Sequence, residues 1–228
     1  MHMKKVTSPK FWKAGRKDKV WIFRPRPGPH EKQFSFPLAV LLRDVLGVVS
    51  TAREAKAVTK KQVQVDGVVR RDLNFPVGLM DVVTLPAMEK AYRLVPADKG
   101  GLRVIELQDA KEAKTKLLRV VGKQMADGKV QLTTHDGRNF LGADASVGDT
   151  LVAEIQSDGT FKLKEILKME EGQLAMVFKG RRSGTMAKLV SVGRNVTLGS
   201  NKNEFTVPKK NVMIVGKDKP MVDLNGKE

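Results

Sequence analysis

Residues 36–85 read FPLAVLLRDVLGVVSTAREAKAVTKKQVQVDGVVRRDLNFPVGLMDVVTL, and this stretch decides the fold. Pro37 suits the first position of a helix, where a missing N–H costs little. Leu38, Leu41, Leu42 and Val45 then recur at i, i+3, i+4 and i+7, and Gly47 closes the pattern. Thr51 and Glu54 have the spacing of a capping box, so a second helix is expected from there, with Ala55 and Val58 turned to the first. On its other side Arg53, Lys56 and Lys60 fall at i, i+3 and i+7 and form one cationic face. After Lys61 the period changes to two: Val63 and Val65 alternate with polar residues, Asp66–Gly67 is a hairpin turn, and Val68 resumes the strand. Arg70 and Arg71 extend the positive surface. The expected unit is two short helices on a small sheet, with one face built for phosphates or, more plainly, kept soluble by charge.

Outward from this unit, charge is unevenly distributed. The chain has 228 residues, with 42 Lys plus Arg against 25 Asp plus Glu and a formal net charge of +17. Residues 1–32 hold 10 basic and 2 acidic side chains, and 172–228 hold 11 and 4, whereas 101–171 hold 11 and 12. A polyanionic partner accounts for cationic ends around a near-neutral middle better than a solubilising surface does. The absence of Cys rules out a disulfide scaffold, a thiolate zinc site and a cysteine nucleophile. No apolar run reaches the length of a membrane span and no signal-peptide pattern follows the N-terminus, so a soluble, cytoplasmic protein is expected.

The segment KKVTSPKFWKAGRKDKVWIFRPRPGPHEKQ has cations every few residues, four prolines, two Trp and no sustained period. It reads as an arm ordered only against a partner, with Met1–Lys10 mobile in the free protein. Arg24 and Arg26 sit on a stiff proline-rich backbone, while Trp12 and Trp21 either stack on bases or pin the arm to the body. His30 has no nearby His or Cys and is a poor metal ligand.

Pro86 is expected to end the first domain. Beyond it Tyr92–Val95, Leu102–Leu107, Leu117–Lys123, Lys129–Thr133, Leu151–Gln156 and Phe161–Met169 read as strands, with a short helix over Ala110–Lys116. Asp–Gly turns at 127–128, 136–137 and 158–159 join them into a small antiparallel β domain. His135, Asp136, Asp144 and Asp149 are the one cluster that invites a catalytic reading. Adjacent residues on a strand point to opposite faces, so His135 and Asp136 make a poor acid–base pair. Leu174–Phe178, Ala187–Val192, Thr197–Leu198, Glu204–Val207 and Val212–Val215 then suggest a compact C-terminal β unit. Its turn Gly180-Arg181-Arg182-Ser183-Gly184 lacks the Gly-Lys-Ser/Thr ending of a nucleotide-binding loop, and its arginines read as phosphate contacts.

Three resemblances sharpen this reading. The cap, REA, VQVDG and GLMDVVTL run of 36–85 resembles the αL RNA-binding motif. Residues 172–228 resemble a KOW-type domain. SPKFWKAGRKDKVWIFRPRPGPH, VDGVVRRDLNFPVGLMDVV, KLLRVVGK, LTTHDGRNF, VGDTL, EGQLAMVFKGRRSG and NVMIVGKDKP, in this order, resemble the S4e family of small-ribosomal-subunit proteins over essentially the whole chain. The end at Glu228 looks like that of an archaeal member.

The resemblance implies a multidomain α+β protein: basic arm 1–35, αL domain 36–86, central antiparallel β domain 87–171, and a KOW/SH3-like β-barrel domain with tail at 172–228. It implies a non-enzymatic structural constituent, monomeric within the ribosome, that needs no cofactor or metal. Its partners would be small-subunit ribosomal RNA and neighbouring ribosomal proteins, not a membrane. The expected RNA contacts are Lys10, Lys13, Arg16, Arg24 and Arg26 from the arm; Arg43, Arg53, Lys56, Lys60, Lys61, Arg70 and Arg71 from the αL unit; and Lys179, Arg181 and Arg182 from the C-terminal turn. The alternatives are an αL-domain RNA-modifying or RNA-processing enzyme, which would need a catalytic constellation elsewhere, and a KOW-domain transcription or translation factor, against which the arm and αL unit argue.

Overall fold

The computed structural model describes residues 3–15, 19–60, 63–98, 100–126, 128–156, 158–200 and 203–224. The architecture is mixed α+β, with a small helical region and three five-stranded antiparallel sheets. Arg16 and Lys61 lie outside the described residues, as does Asp127 of one expected turn.

The first helix starts one residue later than expected. Pro37 has extended backbone and pairs with Pro76 in a short ribbon formed by Ser35–Pro37 and Pro76–Gly78. The first N–H groups of the helix, those of Leu38 and Ala39, donate instead to the carbonyls of Phe75 and Leu73, 3.0 and 2.9 Å away. Leu38–Val40 is α-helical and Leu41–Val45 widens into a π-turn, in which the Leu46 N–H donates to Leu41 O at 2.9 Å. Leu38, Leu41 and Leu42 are fully buried. The Ala52–Lys60 helix begins with the expected capping box: Glu54 N–H donates to Thr51 Oγ1 at 3.2 Å, and the N–H groups of Ser50 and Thr51 donate to Glu54 Oε2 at 2.9 and 3.4 Å. Ala55 and Thr59 are its buried residues, with Val58 half-buried beside them.

Pro86 does not end the sheet behind these helices. Strand order there is Val68–Val69, Gln64–Val65, Val82–Leu85, Lys90–Pro96, Leu102–Leu107, so the two strands expected in the central module complete the first sheet. Pro86 occupies only the start of a single 3-10 turn, and a proline there breaks one hydrogen bond without stopping the hairpin that follows.

The second sheet runs Asn139–Leu141, Lys129–Thr134, Thr115–Ala126, Thr150–Ile155, Phe161–Leu167. The helix expected over Ala110–Lys116 stops at Ala113, because Lys116 belongs to the long central strand and is drawn into the interior. The third sheet runs Asn203–Pro208, Asn195–Ser200, Met186–Val192, Leu174–Val177, Val212–Gly216.

The arm does not behave as a free tether. Met3–Lys4 pairs with Trp21–Ile22, and Met3 and Ile22 are buried. Trp12 is 0% exposed, lies against Phe36, and its indole N–H donates to Ser35 O at 2.9 Å. The apolar burial of these side chains offsets the ordering entropy that the proline-rich composition suggested would prevail.

Candidate nucleic-acid interface

The cationic face of the second helix is present as spaced. Arg53, Lys56 and Lys60 are all exposed, opposite the buried Ala55 and Thr59, because side chains at i+3 and i+7 share one side of a helix. Arg71 is exposed just beyond the hairpin. These four cations pair with no carboxylate among the described residues.

The carboxylates of this region are turned elsewhere. Residues 36–81 contain five acids, and each is engaged by a specific neighbour. Asp44 takes both prongs of Arg43, at 2.9 and 2.7 Å. Glu54 is held in the helix cap. Asp72 pairs with Arg26 at 3.1 Å. Asp66 and Asp81 each meet Lys116 Nζ at 2.6 Å. Four of these carboxylates are thus paired with a cation, and Glu54, exposed at the start of the helix, is bonded to backbone N–H groups, so little uncompensated negative charge is left on the outer face.

Several of the expected contact residues also have partners within the protein. Arg43 and Arg26 each give part of their guanidinium to a carboxylate, and Arg43 also lies 6.0 Å over the Phe23 ring. Arg70 is half-buried and folds back over Phe75 at 4.4 Å, away from the helix face. Arg24 is half-buried, whereas Lys10 and Lys13 are exposed on the arm. On the C-terminal turn Arg181 is exposed, Arg182 stacks 4.4 Å over Phe205, and Lys179 approaches Glu31 of the arm at 3.8 Å. The arm and the C-terminal turn thus meet, although they are far apart in sequence.

Behind the surface lies a buried charge cluster that the strand pattern did not reveal. Lys116 Nζ is surrounded by Asp66, Asp81 and, at 3.2 Å, Asp136. His30 Nε2 meets Asp81 at 2.9 Å, and Arg138 meets Asp136 at 3.1 Å. Burial opposes charge on Lys116, but the three carboxylates outweigh it and hold the ammonium above its ordinary range. Burial likewise opposes ionisation of Asp81, and His30 with Lys116 outweigh it and pull the carboxyl far down. Asp136 is brought to about 2, with burial overcome by Lys116 and His135. These residues come from the arm, the first sheet and the second sheet, so the cluster fastens three parts of the chain together. A cation amid the apolar run of Lys116-Leu117-Leu118 was the signal available in the sequence. Arg93 and Arg119 carry the same signal. Arg93 is fully buried, donates to the carbonyls of Glu112 and Thr115 at 2.6 Å each, and is lowered to about 10 by burial. Arg119 Nε donates to Val212 O at 2.8 Å and ties the second sheet to the third.

The cluster that invited a catalytic reading is part of this framework. His135 Nδ1 accepts the Arg119 backbone N–H at 3.2 Å and its Nε2–H donates to Leu79 O at 3.2 Å, so both ring nitrogens are occupied. Burial pushes the imidazole down to about 4, leaving it neutral near pH 7. Asp149 accepts the N–H groups of Ser146 and Met169, at 2.7 and 2.9 Å. Asp144 is exposed and meets Lys123 at 3.3 Å. No group of three His, Cys, Asp or Glu side chains arranged for a metal ion occurs among the described residues. Where three Asp do converge, the Lys116 ammonium fills the centre.

Fold and surface together define a protein of linked β modules with cationic, polyanion-facing surfaces. Comparisons make the class specific. Residues 1–33 match the RS4NT (NUC023) domain and residues 88–171 match Ribosomal family S4e. The chain is 36% identical over 230 residues to the small ribosomal subunit protein eS4 of Korarchaeum cryptofilum, covering 98% of this chain and 96% of that protein. It is 38% identical over 237 residues to the eS4 of Archaeoglobus fulgidus, covering 98% of each. The crystal structure of the 30S ribosomal protein S4e from Thermoplasma acidophilum superimposes with a TM-score of 0.69 at 30% identity, over 81% of this chain and 95% of that one. The chain belongs to the S4e family of ribosomal proteins, and its affinity is to archaeal members.

Proposed function

We propose that this protein is a structural constituent of the small ribosomal subunit and binds ribosomal RNA through three cationic surfaces. These are the face of the Ala52–Lys60 helix with Arg71, the exposed lysines of the arm, and the Gly180–Gly184 turn. In this reading residues 1–35 are the arm, 36–86 the αL unit, whose sheet is continued by Lys90–Pro96 and Leu102–Leu107, the rest of 87–171 the central β unit, and 172–228 a KOW-type unit with its tail. The observation that carries it is the disposition of charge: five carboxylates in 36–81 are engaged by neighbours while Arg53, Lys56, Lys60 and Arg71 stay exposed. Such a face meets a phosphate backbone with little repulsion from its own acids.

Other ribosomal proteins are the natural neighbours of such a constituent, and the cytoplasm its compartment. No helix among the described residues is long and apolar enough to cross a membrane, which agrees with that placement. Footprinting of small-subunit ribosomal RNA with and without the protein tests the proposal. Protection of a discrete set of backbone positions is expected, weakening steeply with salt. Absence of protection at low salt rejects it.

A further inference from the structure

Lys116 is answered by three carboxylates, and Arg93 by the charges of Glu112 and Asp223. Arg119 has no such answer. It is only 5% exposed, and its Nε and Nη2 donate to the carbonyls of Val212 and Lys209 at 2.8 and 3.3 Å. No carboxylate among the described residues acts on it, and burial alone lowers the guanidinium from its ordinary range. A buried cation without a counter-charge is costly to hold. Its Nη1 makes no hydrogen bond among the described residues.

Arg119 lines a cavity of about 650 Å³ where the arm, the second sheet and the C-terminal turn come together. That size falls in the range of small-ligand sites. One wall is apolar: Phe34 of the arm meets Phe178 edge-on, 6.4 Å between ring centres, and Val121 continues the wall. The rest is cationic, with Lys179 and Lys210 beside Arg119. Lys210 is exposed and pairs with no carboxylate among the described residues. The one acid of the lining, Glu31, is exposed and already lies 3.8 Å from Lys179.

We infer that this cavity receives one unpaired nucleotide of the bound RNA, its phosphate at Arg119, Lys179 and Lys210 and its base against the Phe34–Phe178 wall. A guanidinium with a free prong suits a phosphate oxygen. An aromatic wall takes the face of any base. A base held in a duplex has no free face to offer, so the occupant is single-stranded or turned out of its helix. An acidic protein segment would answer Arg119 and the lysines but leave the apolar wall bare. The inference rests on the RNA-binding function proposed above and adds a single-nucleotide site between two of its backbone-reading surfaces.

The test uses the full-length protein at low salt with an oligouridylate of about 12 nucleotides, within the usual span of single-strand sites. Its duplex with oligoadenylate, oligoglutamate and a small-subunit ribosomal RNA transcript complete the set. Val121→Glu sets a carboxylate at the cavity from a half-exposed position. Met125→Glu, exposed on the same strand but outside the cavity, makes the same change in net charge. Val121→Glu is expected to weaken oligouridylate binding roughly 10-fold or more, because like charges brought together oppose binding. Met125→Glu carries only the screened long-range part and should change it less than about 2-fold. Duplex binding should fall by the same small factor in both. Lys210→Ala, in an exposed turn, gives an independent reading should Val121→Glu not fold. Its salt slope for the oligouridylate is expected to shrink by about 0.7, one phosphate contact on a single strand. Equal losses in the two Glu variants, an unchanged slope in Lys210→Ala, or oligoglutamate bound in preference to the oligouridylate overturns the cavity site. If the transcript still binds the wild-type protein in that event, the ribosomal function stands; if it does not, both fall.

Discussion

Gly67 and Gly159 face each other where the first and second sheets meet. Gly67 sits in the Asp66–Gly67 hairpin with φ +75°, and a Cβ built there would lie 2.8 Å from Gln156 O and 3.5 Å from the Gly159 Cα. Gly159 has φ +79°, and its Cβ would strike Val68. Two tight turns from different sheets therefore nest only because neither carries a side chain.

Gly67→Ala is expected to combine left-handed strain with a clash against backbone, at a cost of about 2–4 kcal/mol. Gly137 supplies the control. It has a similar φ of +76° but open space around its Cβ position. Gly137→Ala should cost only about 1 kcal/mol, the backbone part alone. Urea unfolding of the two variants measures the difference; equal losses would show that the contact between turns contributes nothing.

Lys116 is expected to be among the least replaceable residues. Lys116→Met leaves Asp66, Asp81 and Asp136 facing one another in the interior, which should cost about 3–5 kcal/mol. For a chain of this size that corresponds to a melting temperature lower by roughly 6–20 °C. A variant with unchanged thermal stability would mean that the carboxylates take up protons or solvent at no cost.

Acid should loosen the junction in two stages. The His135 imidazole is lowered from 6.5 to about 4 in the fold, so the unfolded chain binds the extra proton between those values. Stability is therefore complete above pH 6.5 and declines as pH falls toward 4, by up to about 3 kcal/mol. Asp136, lowered from 3.8 to about 2, contributes stability that is present above pH 3.8 and lost as pH falls through 2. Melting temperature against pH for wild type and His135→Gln separates the stages: the decline between pH 6.5 and 4 should flatten in the variant.

RNA affinity should depend on the helix face in a salt-dependent way. Arg53→Ala, Lys56→Ala and Lys60→Ala together remove three exposed cations, and the slope of log K against log salt should shrink by about 2–3. Arg70→Ala, whose guanidinium is stacked on Phe75, should change the slope little. A triple variant with the wild-type slope would move the interface elsewhere on the protein.

The arm should matter to stability as well as to binding. Trp12→Ala empties a fully buried site and removes a hydrogen bond to Ser35 O, with an expected loss of about 3–5 kcal/mol. Deleting residues 1–32 should lower the melting temperature by more than about 10 °C, in line with the loss of several kcal/mol. A deletion variant that melts like wild type would restore the reading of the arm as a tether.

Local features were legible in the sequence because local forces produce them. The Thr51–Glu54 cap, the cationic side of the helix, the Asp66–Gly67 turn and most strands of the second and third sheets depend on residues a few positions apart. Their chemistry also identified a polyanion-binding protein, since net charge and its placement need no fold to be read. Tertiary structure alone decided the rest. Composition left the arm undecided between tether and packing element, and only the pocket beside Phe36 made Trp12 a core residue while strand register turned Trp21 outward. Pro86 looked like a boundary, yet the pairing of Val82–Leu85 with Lys90–Pro96 carries the sheet past it. Lys116 and Asp66 are 50 residues apart, and nothing near either one names the other. A buried ion cluster forms only when separate strands bring opposite charges within reach, and that distance is a property of the packed chain.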